Sequence, residues 1–420
     1  MPRICMLICL CFFLIKGNAQ SLSKNLFDKY NHYKEQTIKV KRFKHKDIVP
    51  LIVKLRSNKD FDISEVGKSI ENRTIYQIKY GSGPVKILLW SQMHGNESTA
   101  TMALFDIFNL LAGSNDDFDD FRKEISSVVT LYFVPMLNPD GAEKWQRRTA
   151  LEIDMNRDAL RLVCPESRIL KNLQQKYLPE FGFNLHDQDP RVSAGHSPNL
   201  ATISFLAPAY NYDLDINDSR IRSMQLIADI NGEMQRFIPD QIARYSDDHE
   251  PRAFGDNIQK WGTSLVLIES GGYKNDPEKM YIRKLNYVAI LSAFNSIAKN
   301  IYQQKTIADY EIIPKNNNYH YDLIVRNVSI NVNGQSFKAD IGISRNEVTS
   351  PDFKSNTYRS NIADIGDLST YFGIEEIDAE GAEIQGNTEK PLALKIGMPA
   401  TFALSKNGRI SSRLKNGFWE

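Results

Sequence analysis

The sequence predicts an α/β protein, a mixed, largely parallel sheet covered by helices on both faces, followed by a small all-β domain. Three observations predict it. Short continuous apolar runs recur at residues 74–80, 84–90, 127–137, 181–186, 201–207 and 264–269, the pattern of strands buried on both faces. Between several of them lie stretches with apolar residues at helical spacing. Beyond Gln304 that helical periodicity gives way to short β-type runs separated by turn residues.

At 420 residues the chain can bury a sizeable core, and its length favours more than one domain. The 52 Lys and Arg nearly balance the 51 Asp and Glu, so no basic field is available to collect phosphate backbones and nucleic acid is not expected as a partner. At the start, Arg3, the apolar run Ile4–Ile15 and Gly17-Asn18-Ala19 form the basic start, apolar core and small-residue end of a signal peptide over residues 1–19. The run is shorter than the roughly twenty residues a membrane span needs. The expectation is therefore export to the periplasm or cell exterior without a stable membrane span. Cys5, Cys9 and Cys11 fall inside this segment, and Leu10 and Phe12 deny Cys11 the small-residue setting of a lipid attachment. Only Cys164 remains, which rules out an internal disulfide.

Residues 20–60 read as a lead-in, with a helical pattern over 45–55 that Pro50 interrupts or starts. The α/β domain follows over 61–304. Its first elements read as a strand (74–80), a turn through Gly81-Ser82-Gly83-Pro84, and a second strand (84–90). A helix over 99–113 stops at Gly113, and longer helical patterns cover 218–237 and 277–303. The β-rich domain is placed at 310–420, with runs at 321–334, 337–343, 362–366, 392–397 and 400–408.

The strongest chemical signal is His94-Gly95-Asn96-Glu97, where a strand ends and a helix begins. Imidazole and carboxylate are ligands that zinc accepts, and a catalytic zinc keeps three protein ligands and one open position. Taken alone, such a pair is usually a solvated surface contact. Other strand ends add to it, because open α/β sheets gather functional groups at the carboxyl ends of their strands. His186 ends the run 181–186 and Glu269 ends 264–269. Two histidines and a glutamate complete a ligand set, and a further carboxylate is placed to take a proton from water.

With these residues goes a series of motifs, Asn138-Pro139-Asp140-Gly141, Asp154-Met155-Asn156-Arg157 and Asn184-Leu185-His186. In order and spacing they resemble the M14 family of zinc carboxypeptidases over roughly residues 60 to 300. The resemblance implies that His94, Glu97 and His186 bind Zn2+ and that Glu269 is the general base. It implies that Asp154 orients His94, and that Asn156 and Arg157 hold the free C-terminal carboxylate of a peptide substrate. Counting back from Asn156 assigns the oxyanion donor to Arg147, with Arg148 as the alternative. Tyr245 stands near the position of the family's mobile tyrosine, although its surroundings differ and a surface tyrosine is the competing reading. Arg252, Phe254 and Asp256 are three different candidates for the terminal side-chain pocket. His249 and His320 lie in polar stretches and read as surface residues, while His196 is placed near the cleft border.

In the last region, 321–334, 337–343, 362–369 and 375–384 resemble the β-sandwich strands that flank amidohydrolase barrels. The barrel and its His-x-His pair are missing, so a non-catalytic domain is expected, an unrelated β-domain being the alternative. The functional expectation is a zinc metallocarboxypeptidase. Two alternatives stand beside it: a cell-wall peptide amidase or carboxypeptidase with the same zinc site, and a non-catalytic binding protein on this fold. Nothing in the sequence reads out the oligomeric state.

Overall fold

The computed structural model describes residues 21–350, 356–386 and 393–420. The expected signal segment, residues 1–19, lies outside them. The chain opens with α1 (Leu22–Tyr33), α2 (His45–Leu55), β1 (Phe61–Lys68), β2 (Thr74–Tyr80) and β3 (Val85–Ser91). There follow α3 (Thr99–Leu111), α4 (Asp119–Val128), β4 (Val129–Val134), α5 (Pro139–Lys144), α6 (Pro165–Tyr177), β5 (Phe181–Asp187) and β6 (Ser193–Ala194). Next come β7 (Ile203–Leu206), α7 (Asp218–Met234), β8 (Ile242–Arg244), α8 (Phe254–Lys260), β9 (Ser264–Ser270) and α9 (Met280–Ala298).

One eight-stranded sheet runs β1-β2-β4-β3-β5-β9-β7-β8. Its centre, β4-β3-β5-β9, is parallel, while the β1/β2, β2/β4 and β9/β7 pairings are antiparallel. The mixed, largely parallel sheet is thus present. The strands at 74–80 and 84–90 do not pair with each other, because β4 lies between them. Strand alternation sorts the core into two layers. Ile87 and Leu89, Phe181 and Phe183, and Val266 and Ile268 face a cluster with α1, α3, α7 and α9. Leu88, Trp90 and Leu265 face the other cluster, with α6 and α8. His186 and Glu269 are in phase with this second set, so both leave the sheet on the same face.

The lead-in is part of the core. Leu26, Tyr30, Ile48 and Ile52 are buried in the first cluster. A fully buried ion pair fastens the segment: Arg283 Nε donates to Asp106 Oδ2 at 2.7 Å, its Nη1 reaches the Ile38 carbonyl, and Asp106 also accepts from Tyr30 Oη at 2.9 Å. Removing one partner of such a pair costs about 3–5 kcal/mol, because the other charge stays buried. Among the described residues no helix is long and apolar enough to cross a membrane.

A second eight-stranded sheet is built from β11 (His320–Val332), β12 (Gln335–Thr349), β13 (Asn356–Gly366), β14 (Phe372–Asp378), β15 (Glu383–Gln385), β16 (Phe402–Lys406), β17 (Arg409–Lys415) and β18 (Phe418–Trp419). The sequence suggested a sandwich here. Instead one sheet curls around its own core of Leu323, Val325, Ile341, Ile343, Ile362 and Phe402. Residues 397–400 bring its ends together by hydrogen-bonding Ser360 and Ile362 of β13. The expected run at 392–397 is a turn over the residues described there. Short β10 (Asn316–Asn317) pairs with β6 and ties this unit to the first.

Candidate metal centre

Three adjacent strands, β3, β5 and β9, end side by side, and the site sits on their carboxyl ends. His186 and Glu269 are register partners on β5 and β9. His94 and Glu97 follow β3 in a turn closed by Glu97 N–H to the His94 carbonyl at 3.1 Å. That turn must press against α5, where a Cβ on Gly95 would lie 2.0 Å from the Gly141 carbonyl carbon. Glycine is required at this contact for lack of space. Asn138 braces the same turn: its Nδ2 donates to the Met93 carbonyl at 3.2 Å, and its Oδ1 caps α5 through Gly141 N.

His94, Glu97 and His186 converge, with ligand atoms all within 4.8 Å of one another and all three residues buried. His94 Nδ1 lies 2.8 Å from Glu97 Oε1, and His186 Nδ1 lies 2.7 Å from Glu97 Oε2. His94 Nε2 faces Asp154 Oδ1 at 3.1 Å, which makes Nε2 the protonated nitrogen and turns the Nδ1 lone pair inward. Two imidazole nitrogens and a carboxylate, aimed at one point and backed by an orienting aspartate, fit zinc. Opposing charge reinforces the arrangement. Although burial raises it, the hydrogen bond and charge of His94 and the guanidinium of Arg147 hold the Asp154 carboxyl well below the usual carboxylate range.

Glu269 is buried, and its Oε2 has no hydrogen-bond partner among the described residues. Burial first, then the charges of Glu97 and Asp187, raise its proton affinity well above that of an ordinary glutamate. Arg147 points at the centre: its Nη1 is 3.0 Å from His94 Nδ1 and 3.2 Å from Glu97 Oε1, and Asp154 Oδ2 anchors its Nε at 3.1 Å. Arg148 turns away to the Glu152 carbonyl. Asn156 Oδ1 accepts from Phe254 N–H at 2.9 Å. Tyr245, just after β8, is half-buried, and burial followed by the charges of Glu269 and Glu97 raises its hydroxyl pKa.

The loop before α8 and the first turn of α8 depart from the expectations. Phe254 is fully buried in the core, and Asp256 is buried against His249 Nδ1 at 3.1 Å. Of the three pocket candidates only Arg252 is exposed. His249 is therefore paired, not a free surface group, and His320 is buried with Nε2 on the Pro198 carbonyl. His196 packs on Tyr319 of the second unit, at 4.2 Å between ring centroids. Glu250, which no sequence signal marked, bridges Arg157 and Arg252.

Residues 53–203 match the family of zinc carboxypeptidases. The match spans about a third of the chain. Carboxypeptidase 2 of Trichophyton rubrum is 28% identical over 104 residues, covering 24% of this chain and 19% of that protein. Probable carboxypeptidase 2 of Arthroderma benhamiae is 23% identical over 155 residues, 36% of this chain and 27% of that protein. The chain thus spans about a fifth to a quarter of the length of these relatives. Among solved structures, the metallo-carboxypeptidase from Burkholderia cenocepacia superposes with a TM-score of 0.50 at 15% identity, over 61% of this chain and 70% of that one. Bovine thrombin-activatable fibrinolysis inhibitor superposes with a TM-score of 0.50 at 14% identity, over 64% of this chain and 99% of that one. The α/β unit of this chain therefore has the fold of these proteins.

Proposed function

We propose that the protein is a zinc-dependent metallocarboxypeptidase that hydrolyses the last peptide bond of a substrate with a free C-terminal carboxylate. One observation carries this reading: Glu269, a separate buried carboxylate, is the register partner of His186 beside the converging His94 and Glu97. Zinc held by His94, Glu97 and His186 supplies a Lewis acid for the scissile carbonyl and the acidity of a water. Glu269 takes the proton from the attacking water and delivers it to the leaving amine. Arg147, braced by Asp154, donates to the oxyanion that develops on the carbonyl. Arg157 and the Asn156 Nδ2 receive the terminal carboxylate, for which a planar guanidinium is suited. Tyr245 covers the substrate terminus from the same side.

The test compares a peptide acid with its C-terminal amide. A hydrogen bond to a charged group contributes about 1.5–3 kcal/mol, so the acid should exceed the amide by about ten- to a hundredfold in kcat/KM. Arg157→Ala should abolish that ratio, and a change in both substrates alike would cancel in the comparison. Equal rates on acid and amide with the intact protein would replace a carboxypeptidase by an endopeptidase or amidase.

A further inference from the structure

A cavity of about 920 Å³ lies between the two units and reaches the metal centre at Asn96 and Glu97. Its far wall belongs to the second sheet and includes Arg345, Tyr358 and Phe418. Asn156, Arg157 and Tyr245, the residues assigned to the substrate terminus, do not line it. A peptide with its last residue on Arg157 and its scissile carbonyl at the centre continues away from Arg157, and this cavity is space that reaches the centre without those residues. An extended chain advances about 3.3 Å per residue, which takes upstream residues into the cavity and along the second unit.

The wall is fixed in place. Arg191 Nη1 reaches Asp322 Oδ2 at 3.4 Å and Asn346 Oδ1 at 3.3 Å across the boundary, and Lys41 Nζ binds Glu347 Oε2 at 2.9 Å. On that wall Arg345 pairs with Glu375 at 2.8 Å and Glu347 with Lys41. What it presents is aromatic. Tyr358 and Phe418 pack edge to face at 5.5 Å, the Arg345 guanidinium lies 4.3 Å from the Phe418 ring, and the two aromatic residues are 37% and 40% exposed. Exposed aromatics held rigidly beside a cavity are the groups that bind apolar side chains with least entropic loss.

We propose that this cavity binds the substrate upstream of the scissile bond, and that Tyr358 and Phe418 of the C-terminal β-domain form a subsite for an apolar or aromatic side chain there. The proposal rests on the carboxypeptidase reading. It makes the second unit a specificity element of the catalytic site.

The test uses the full-length zinc-loaded protein and amino-blocked free acids that share their last two residues: a dipeptide, and pentapeptides beginning with Phe or with Asp. In the unaltered protein kcat/KM should rise about tenfold from the dipeptide to the Phe pentapeptide, and clearly less for the Asp pentapeptide, as expected of an aromatic contact. Phe418→Ala and Tyr358→Ala should each reduce that gain to about twofold, while Tyr358→Phe retains it. Because the gain is a ratio within one protein, general damage to the fold cancels. No gain with length, or a gain equal in both alanine variants and the unaltered protein, would overturn the proposal while leaving the carboxypeptidase reading intact. No turnover of any free acid, the dipeptide included, would overturn that reading and the proposal with it.

Discussion

Arg157 and Glu250 form an ion pair beside the metal centre, with Arg157 Nε 3.2 Å from Glu250 Oε2. The same carboxylate is held by Arg252 through Nε at 2.9 Å and Nη2 at 2.8 Å. These hydrogen bonds to Arg252, with the charge of Arg157, keep the Glu250 carboxyl at about 2, so it is ionised at neutral pH. An internal carboxylate thus sits where the substrate's carboxylate is assigned. Glu250→Gln should lower KM for peptide acids by about two- to fivefold, the range expected for a partly exposed pair, and leave KM for amides unchanged. Steady-state kinetics on matched acid and amide pairs decide it. A raised KM for acids would instead make Glu250 a support for Arg157.

The ligand assignment predicts stoichiometric zinc that survives dialysis. His94→Ala or His186→Ala should lose it, since two remaining ligands do not make a zinc site of this class. Elemental analysis of purified variants gives the answer, and full zinc in both would rule the assignment out.

Glu269→Gln should keep zinc and fold but lose about a hundredfold or more in kcat, because the amide keeps the carboxylate's shape without accepting a proton. The control is metal content alongside turnover. Substantial residual activity with normal zinc would move the base to another group.

Glu166 offers a pH test away from the centre. It is fully buried at the start of α6, its Oε2 has no partner among the described residues, and its other oxygen accepts from Ile70 N–H at 3.4 Å. Burial, with the nearby charge of Asp140, pushes its carboxyl up to about 7 from an ordinary value of 4.5. Between those values the folded state binds more protons than the unfolded state. The contribution to stability is therefore full below 4.5 and is lost as pH rises through 7. Glu166→Gln should gain on the unaltered protein by about 2 kcal/mol more at pH 8 than at pH 5. Denaturant unfolding at both pH values measures this, and an equal difference at both would contradict it.

Residue type and local periodicity by themselves determined the α/β class and the strands that end at His186 and Glu269, because a strand buried on both faces must be continuously apolar. They also marked His94 and Glu97, while Asp154, Asn156 and Arg157 were marked only by the resemblance of their short motif to the zinc carboxypeptidases. Strand β1 escaped notice, since FDISEVGK is largely exposed along one edge and lacks an apolar run. Tertiary structure alone decided which of Arg147 and Arg148 faces the centre, a matter of where Asp154 and the Glu152 carbonyl stand. It alone buried Phe254, paired His249 with Asp256, and brought Glu250 to Arg157. The same holds for the cavity wall, where Arg191 and Lys41 bridge the two units and Tyr358 and Phe418 line a cavity that reaches the metal centre at Asn96 and Glu97. A sequence pattern reports the environment a residue needs within its own element. Which distant charge or ring completes that environment is a property of packing, and packing is not periodic in sequence.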